Sequence, residues 1–344
     1  MSVLVAGGMS LERIIAYNAA AFALQLPFGM VMDAFPRFNR ICFFVGTGLT
    51  VSAAAAAIFA VGGWGVLVAA GVGNALFHLT AGKHVLETYK GSPGPAGLFI
   101  STGALGLAAG LAWAPDAAVI CLSVSAAALA VCTFCAALKE WETGRGKGRG
   151  EGLSVWGFEC LSGWGMSLVV VRLLFLDRIN RIDRIGKGLG VLRGEGLSSR
   201  GAGNEGCGEK KGRVKAVLGL TVLVGLFILT AWRSWAGLLA NARTGNACVA
   251  VVIAGAVAVL AGKIAGGYAA ACAGRWKVAA VSVAGSAVLV FLCDPSMTLL
   301  WISLLFVSQL ATGPVLSLIF DRTGRRGGTA FGLNCLGLFT GSIV

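Results

Sequence analysis

The sequence predicts an all-α, polytopic membrane protein with about ten transmembrane helices in two pseudo-repeated bundles. Three observations predict this fold: 57% of the 344 residues are hydrophobic, only 12% are charged, and the apolar residues occur in long runs. Soluble domains carry about 25% charged residues, so this composition excludes a water-soluble globular protein. It also excludes disorder over most of the length, because disordered chains have low hydrophobicity.

Ten segments qualify as spans, because a helix needs about 20 mainly apolar residues to cross the hydrocarbon core. In chain order they are 14–33, 41–60, 64–82, 95–114, 117–138, 216–234, 247–266, 278–293, 298–319 and 329–344. Charged residues or Pro and Gly breaks end most of them, as at Pro36 and at Asp294-Pro295. Each span is therefore predicted from an apolar run together with the break that stops it.

One long connection divides these spans five and five. It predicts an N-terminal helical bundle (1–138), a Gly-rich and basic linker (139–215) and a C-terminal helical bundle (216–344). Within the linker, 153–176 is fairly apolar, but it carries Glu159 and Arg172, and we interpret it as non-spanning.

Basic residues predict the orientation. The connections 34–40, 83–94, 139–215, 267–277 and 320–328 hold 24 of the 28 Lys and Arg residues. Arg13, Arg233 and Arg243 fall on the other side, and Lys263 lies within a span. Because basic loops stay in the cytoplasm, we expect a multi-pass protein of the plasma (inner) membrane with both termini outside. The long loop is then cytoplasmic.

The net charge of +13 predicts which surfaces the protein contacts. Basic cytoplasmic loops attract anionic lipid headgroups. The Gly/Arg tract of the linker has no interleaved aromatic residues on which bases could stack, so we predict no nucleic-acid binding. The predicted partners are membrane lipid and a small-molecule substrate. Nothing in the sequence indicates an oligomeric state.

The two bundles share a motif at the end of one helix. The first span ends in Pro-Phe-Gly-Met-Val-Met-Asp (27–33), followed by Arg37 and Arg40. The seventh ends in Gly-Lys-Ile-Ala-Gly-Gly-Tyr (262–268), followed by Arg275. Two similar bundles joined by a linker are typical of transporters built from internal repeats.

These residues resemble the major facilitator superfamily, in which the loop after the second helix reads roughly G-x-x-x-D-R/K-x-G-R-R. The chain matches it with Gly29, Asp33, Arg37 and Arg40, and has three residues between Asp33 and Arg37 where the family has none. Gly266, Gly267, Gly274 and Arg275 are similar to the motif after the eighth helix, with Ala271 at the position of an aspartate.

Two further runs resemble a branch of that family similar to fosmidomycin-resistance proteins. They are GVGNALFHLTAGKH (71–84) and WRSWAG (232–237), which match its fourth and seventh helices. The resemblance implies a transporter that works by alternating access, a permease or an efflux carrier. It also implies that the chain lacks the family's first and last helices.

Polar side chains within spans are costly and mark candidate functional positions. The substrate-pathway candidates are Asn18, Gln25, Asn74, His78, Gln309 and Asn334. Asn18 and Gln25, seven apart, and Asn74 and His78, four apart, should each share a helix face. Helix-to-helix hydrogen bonding is the alternative role of these groups. His78 is a candidate for proton coupling because it titrates near physiological pH.

The helix ends supply candidates for a cytoplasmic gate. They are Gly29, Asp33, Arg37, Arg40, Lys263, Gly266, Gly267 and Arg275. Asp33 ends a helix, where the helix dipole disfavours an anion, so it needs a nearby cation, and Arg37 or Arg40 is the expected partner.

The sequence contains few residue patterns that are typical of enzymes or metal sites. The two histidines, His78 and His84, form no metal-spaced cluster, and no Gly-rich phosphate loop follows a strand. We therefore predict no enzyme, no cofactor and no metal. A truncated, non-transporting membrane protein or assembly subunit is the alternative to a transporter, and a membrane enzyme using one of the histidines is a further one.

Overall fold

The computed structural model describes residues 11–58, 63–101, 103, 208–244, 249–292, 294 and 297–343. All regular structure within these residues is helical, which confirms the all-α class. Seven helices in this part of the chain are long and apolar enough to cross a membrane. The structure is therefore that of a membrane-embedded helical protein.

The helices are numbered here in chain order. They are α1 (Leu11–Asn18), α2 (Gln25–Ala34), α3 (Phe38–Ile58), α4 (Trp64–Thr88), α5 (93–101), α6 (Gly208–Thr244), α7 (Val249–Ala273), α8 (Arg275–Leu292), α9 (Thr298–Gln309), α10 (Thr312–Arg322) and α11 (Gly327–Ile343). The described residues up to 103 are called the N-terminal half, and those from 208 onward the C-terminal half.

Several predicted boundaries move in the structure. Helix α4 runs to Thr88 rather than to 82, and α6 covers 208–244 rather than 216–234, so 208–215 of the predicted linker are helical. The tenth predicted span is the 17-residue α11, which is shorter than any of the seven spanning helices. The fourth span begins at 93 as α5. The fifth predicted span, 117–138, and the linker up to 207 lie outside the described residues.

Proline interrupts the first span. A π-helical turn (Ala19–Ala23) separates α1 from α2, and the Leu24 N–H donates to the Ala19 carbonyl, five residues back, at 3.3 Å. Pro27 has no N–H to continue the regular ladder. The π turn adds one residue to the helical path and rotates the next helix by about 100°. The face predicted to hold both Asn18 and Gln25 is therefore split: Gln25 is buried and Asn18 is half-buried.

Helix α11 joins the two halves. It packs against α2 and α4 of the N-terminal half and against α6 of its own half. At its contact with α2, the backbone of Gly328 meets that of Gly29, and Gly332 meets the backbone of Gln25. The main apolar core likewise takes side chains from both halves, so the described helices share one continuous interior.

Large apolar side chains also cover the outside of the helices. Phe291 is 87% exposed and Leu299 is 79% exposed. Such exposure is unfavourable in water but suits a surface in contact with lipid tails. The spanning helices thus have an apolar outer surface, while their polar groups lie inside or at the ends.

Candidate functional site

A buried ion-pair cluster occupies the end of α2. Asp33 Oδ1 accepts a hydrogen bond from Lys83 Nζ at 2.5 Å, and the same amine donates to Glu87 Oε1 at 2.6 Å. The Asp33 side chain is 6% exposed and that of Lys83 is 9% exposed. Lys83 and Glu87 are four residues apart on α4, so one helix face presents both to Asp33.

The N-terminus of α11 completes this cluster. Asp33 Oδ1 accepts from the Gly328 N–H at 3.0 Å, and Oδ2 accepts from the Thr329 N–H and the Thr329 hydroxyl, each at 2.7 Å. The first N–H groups of a helix have no partner within it, and the helix dipole favours an anion there. Asp33 therefore caps a helix of the opposite half. We call Asp33, Lys83, Glu87, Gly328 and Thr329 the first end contact.

The expected cation for Asp33 is present, but its identity differs from the prediction. Lys83 takes this position rather than Arg37 or Arg40, both of which are exposed. Sequence reasoning placed Lys83 in a loop because it ended the span at 82, whereas α4 continues to Thr88. The four-residue spacing of Lys83 and Glu87 was the signal that could have identified the pair.

A second contact between the halves lies at the same end of the bundle. The Ser317 hydroxyl of α10 donates to the carbonyl of Gly91, which precedes α5. Arg275 Nη1 donates to Ser317 Oγ at 2.9 Å and to Asp321 Oδ2 at 2.5 Å. Arg275, one of the predicted gate residues, is thus paired with Asp321 of its own half rather than with Asp33.

Glycines bring the backbones together in this region. A Cβ on Gly267 of α7 would lie 2.6 Å from the carbonyl oxygen of Pro93, and one on Gly97 would lie 2.5 Å from that of Lys263. Only glycine allows so close an approach of α5 to α7. We call Gly91, Pro93, Gly267, Arg275, Ser317 and Asp321 the second end contact.

The two end contacts place four basic connections at one end of the helices. Loops 34–40, 83–94, 267–277 and 320–328 all adjoin the residues of these contacts. This arrangement is the one expected if alternate loops collect the basic residues. The fifth basic connection, 139–215, is described only over 208–215.

Two basic side chains lie in the middle of the spanning helices. Arg233 of α6 is 3% exposed, although the sequence count placed it at the outer end of its span. The longer α6 corrects this position, since the span 219–240 encloses Arg233. Lys263 is the other one, and it lies 13 residues from the start of the 24-residue span 250–273. We call Arg233 and Lys263 the central cations.

Polar groups of three other helices surround the central cations. Arg233 Nη1 donates to the Thr312 hydroxyl, which in turn donates to Gln309 Oε1 at 3.2 Å. Lys263 Nζ donates to the carbonyl oxygen of Ile100 in α5 at 3.2 Å. Because Pro314 cannot donate a hydrogen bond, the span 298–322 is interrupted between α9 and α10, and this break brings Gln309 and Thr312 together.

Further predicted pathway residues lie in the same interior. Gln25 and Asn334 are each 1% exposed, and each has a buried side-chain oxygen that accepts no hydrogen bond within the described residues. Asn334 lies on α11 one turn before its contact with α6, where Gly337 packs on Thr230 and the Ser234 hydroxyl donates to the Leu338 carbonyl. Gln309 is therefore linked to Arg233 through Thr312, and it also packs on Gly262 beside Lys263; sequence reasoning did not select Arg233.

Asn74 and His78 lie elsewhere. Both are half-buried on α4, and the His78 ring packs 5.5 Å from that of Phe77 and 6.3 Å from that of Phe99, measured between ring centres. Phe99 in turn contacts Phe331 of α11 at 6.0 Å. The structure thus places His78 in an aromatic row between the halves.

Comparison with known proteins adds no family: no protein-family model and no curated protein matches this chain. Among the residues that the structure describes, no group of His, Cys, Asp and Glu has an arrangement that could hold a metal ion. Function is therefore inferred from the arrangement of the charged residues that the structure describes. They form two paired contacts at one end and two central cations.

Proposed function

We propose that the protein is a membrane transporter that moves a small molecule by alternating access, in the manner of the major facilitator superfamily. The observation that carries the proposal is the pair of end contacts. Each joins a helix of the N-terminal half to one of the C-terminal half, α2 to α11 and α5 to α7. Rocking of two halves about a central site requires contacts of this kind at whichever end is closed.

The chemistry of the contacts supports a closed state that can open. Glycine-to-backbone packing allows the helices to meet tightly without interlocking side chains, as at Gly29 and Gly328. Hydrogen bonds from Thr329 and Gly328 to Asp33 hold the halves together and are replaceable by water. Separation of α2 from α11 then breaks these polar contacts together with part of the apolar core that the two halves share.

In this proposal the end contacts face the cytoplasm of a cell whose plasma membrane holds the protein. Reporter fusions at Gly91 and Gly327 test that orientation, because both loops carry basic neighbours and lie at the same end. Both fusions should report the cytoplasm. Opposite reports from the two positions would contradict it.

A native cysteine provides the test of alternating access. Cys335 lies at the middle of α11 and is buried, while Cys272 at the end of α7 is exposed. In sealed inside-out vesicles, a membrane-impermeant thiol reagent should label Cys272 quickly and Cys335 slowly. Asp33→Asn should speed labelling of Cys335 from that face, because it weakens the first end contact.

Arg37→Gln is the matched control, since Arg37 is exposed and charged and follows the same helix. It should leave labelling of Cys335 unchanged. If Cys335 stays equally protected in Asp33→Asn from both faces of the membrane, the halves do not rock, and a static membrane subunit becomes the better explanation.

A further inference from the structure

The central cations raise a problem of charge balance inside the membrane. Arg233 lies 14 residues from the start of the 22-residue span 219–240, and Lys263 lies near the middle of the span 250–273. At about 1.5 Å per residue, both are roughly 10 Å or more from either end of their spans. Ionisable groups at this depth face the protein interior and serve function far more often than structure.

No carboxylate balances these two charges within the described part of the chain. Asp33 and Glu87 bind Lys83, and Asp321 binds Arg275. Arg233 and Lys263 instead bind neutral oxygens, those of Thr312 and Ile100. An isolated charge costs several kcal/mol to bury, so an anionic ligand at these groups would lower that cost.

We propose that the central cations bind a small dianionic oxyanion, a phosphoryl or dicarboxylate group, as the transported substrate. The inference rests on the proposed function and names the class of its substrate. Gln309 links the two groups, because it accepts from the Thr312 hydroxyl that Arg233 binds and packs on Gly262 beside Lys263, so a single ion can contact both. The guanidinium of Arg233 keeps further donors in a planar fork that matches two oxygens of a carboxylate or phosphate.

The surrounding groups fit the same ligand. Helix α10 begins at Thr312, beside Arg233, so the positive end of its dipole adds to the attraction for an anion. The buried Asn334 Oδ1 lacks a donor among the described residues, and a hydroxyl on the ligand would supply one. Hydrogen phosphate and a hydroxy-dicarboxylate such as malate both combine two negative charges with a hydroxyl.

The test uses the full chain purified in a neutral detergent and the labelling of Cys335 as readout. At constant ionic strength, inorganic phosphate or malate should slow labelling of Cys335 by tenfold or more, and should leave Cys272 unchanged. Acetate, choline and glycerol should give little protection. Lys263→Met should abolish the effect, whereas Lys277→Met, which removes an exposed charge at the end of the bundle, should keep it.

A second measurement needs no variant. Anionic and cationic methanethiosulfonate reagents of similar size attack the same thiol, so the thiol's own reactivity cancels in the ratio of their rates. The anionic reagent should be preferred at Cys335 by tenfold or more relative to Cys272, because Arg233 lies on α6 where α6 packs against the helix of Cys335. Equal ratios at the two cysteines overturn the inference, even if Lys263→Met fails to fold.

The outcomes separate the inference from the proposed function. If phosphate or malate protects Cys335 but no variant of the first end contact changes its labelling, the anion site stands and alternating access is contradicted. If labelling responds to Asp33→Asn but not to phosphate or malate, transport stands and the dianion is the wrong substrate class.

Discussion

The two end contacts have ion pairs of equal length in different surroundings. The Asp33–Lys83 and Arg275–Asp321 pairs are both 2.5 Å long, but the first has side chains 6% and 9% exposed, and the second 34% and 36%. In the first end contact the acid itself crosses between the halves, to Gly328 and Thr329. In the second, the ion pair lies within one half, and the hydrogen bond of Ser317 crosses instead.

If the halves separate as proposed, this difference indicates which contact contributes most to the cost of opening. Buried charges are strongly coupled and poorly screened, whereas half-exposed pairs contribute about 0–1 kcal/mol. Opening the first end contact leaves Asp33 and the α11 N-terminus without their mutual hydrogen bonds. Opening the second removes one neutral hydrogen bond. We expect the first contact to set the stability of the closed end and the second to set its packing.

The largest effect is expected from removal of the Asp33 carboxylate, which binds residues of both halves in the first end contact. Asp33→Ala leaves the Lys83 amine with Glu87 alone and leaves two N–H groups of α11 without an acceptor. Loss of one partner of a buried ion pair costs about 3–5 kcal/mol. Labelling of Cys335 from the loop end should rise more than a hundredfold. An unchanged rate would mean that Asp33 does not hold the closed state.

Gly267→Ala should produce the next largest effect, through the packing of the second end contact. The added Cβ would lie 2.6 Å from the Pro93 carbonyl oxygen, so α7 and α5 must separate. Overpacking of this kind costs about 1–3 kcal/mol. Both faster labelling of Cys335 and a lower melting temperature in detergent are expected.

Gly48→Ala is the matched control, because a Cβ at Gly48 of α3 meets no atom within 4 Å. There alanine should be neutral or stabilising, by up to about 1 kcal/mol, since glycine lowers helix stability. Equal destabilisation by both alanines would attribute the effect to glycine in general, and not to the contact between α7 and α5.

A double-mutant cycle sharpens the identity of the Asp33 partner. Asp33→Asn and Lys83→Met should be non-additive by about 0.5–3 kcal/mol in the melting of the protein, as expected for residues in direct contact. The cycle with Arg37→Ala should be additive. Coupling to Arg37 in place of Lys83 would restore the partner expected from sequence and contradict the observed ion pair.

Sequence reasoning located the apolar runs and Lys263 within one of them, but it missed the interior positions of Lys83 and Arg233. Seven of the predicted spans exist as long helices. They could be recognised because the hydropathy of a span depends only on its own residues and not on its neighbours in the fold. Lys83 was assigned to a loop because its apolar run was ended at 82, and Arg233 was counted with the outer side because its span was ended one residue later, at 234, whereas the helices continue to Thr88 and Thr244. A charged side chain that is assigned to a loop is expected to be solvated, so its contacts inside the protein are not predicted.

Contacts between distant residues were the other limit on prediction. Gly29 and Asp33 were selected from a local motif, but their partner, Thr329, is 296 residues from Asp33. No helical period or loop spacing relates such positions. The pairing of α2 with α11 depends on how the helices assemble, so the acid could be named from sequence while the helix that it caps could not.

The smallest effect is expected from Arg275→Gln, the variant that weakens the exposed ion pair. The pair with Asp321 should contribute less than about 1 kcal/mol, because water and salt screen it. Glutamine can still donate to Ser317, so the hydrogen bond from Ser317 to Gly91 should persist. Labelling of Cys335 should therefore rise by less than about fivefold, which corresponds to a change below about 1 kcal/mol.

Salt distinguishes the two contacts in the same assay. Raising the ionic strength to about 1 M shortens the screening length to about 3 Å, which should erase the difference between Arg275→Gln and the unmodified protein. Asp33→Asn should keep its effect under these conditions, since its side chain is almost completely buried. If salt removed both effects equally, the first end contact would be as accessible to water as the second, and the proposed difference between them would fail.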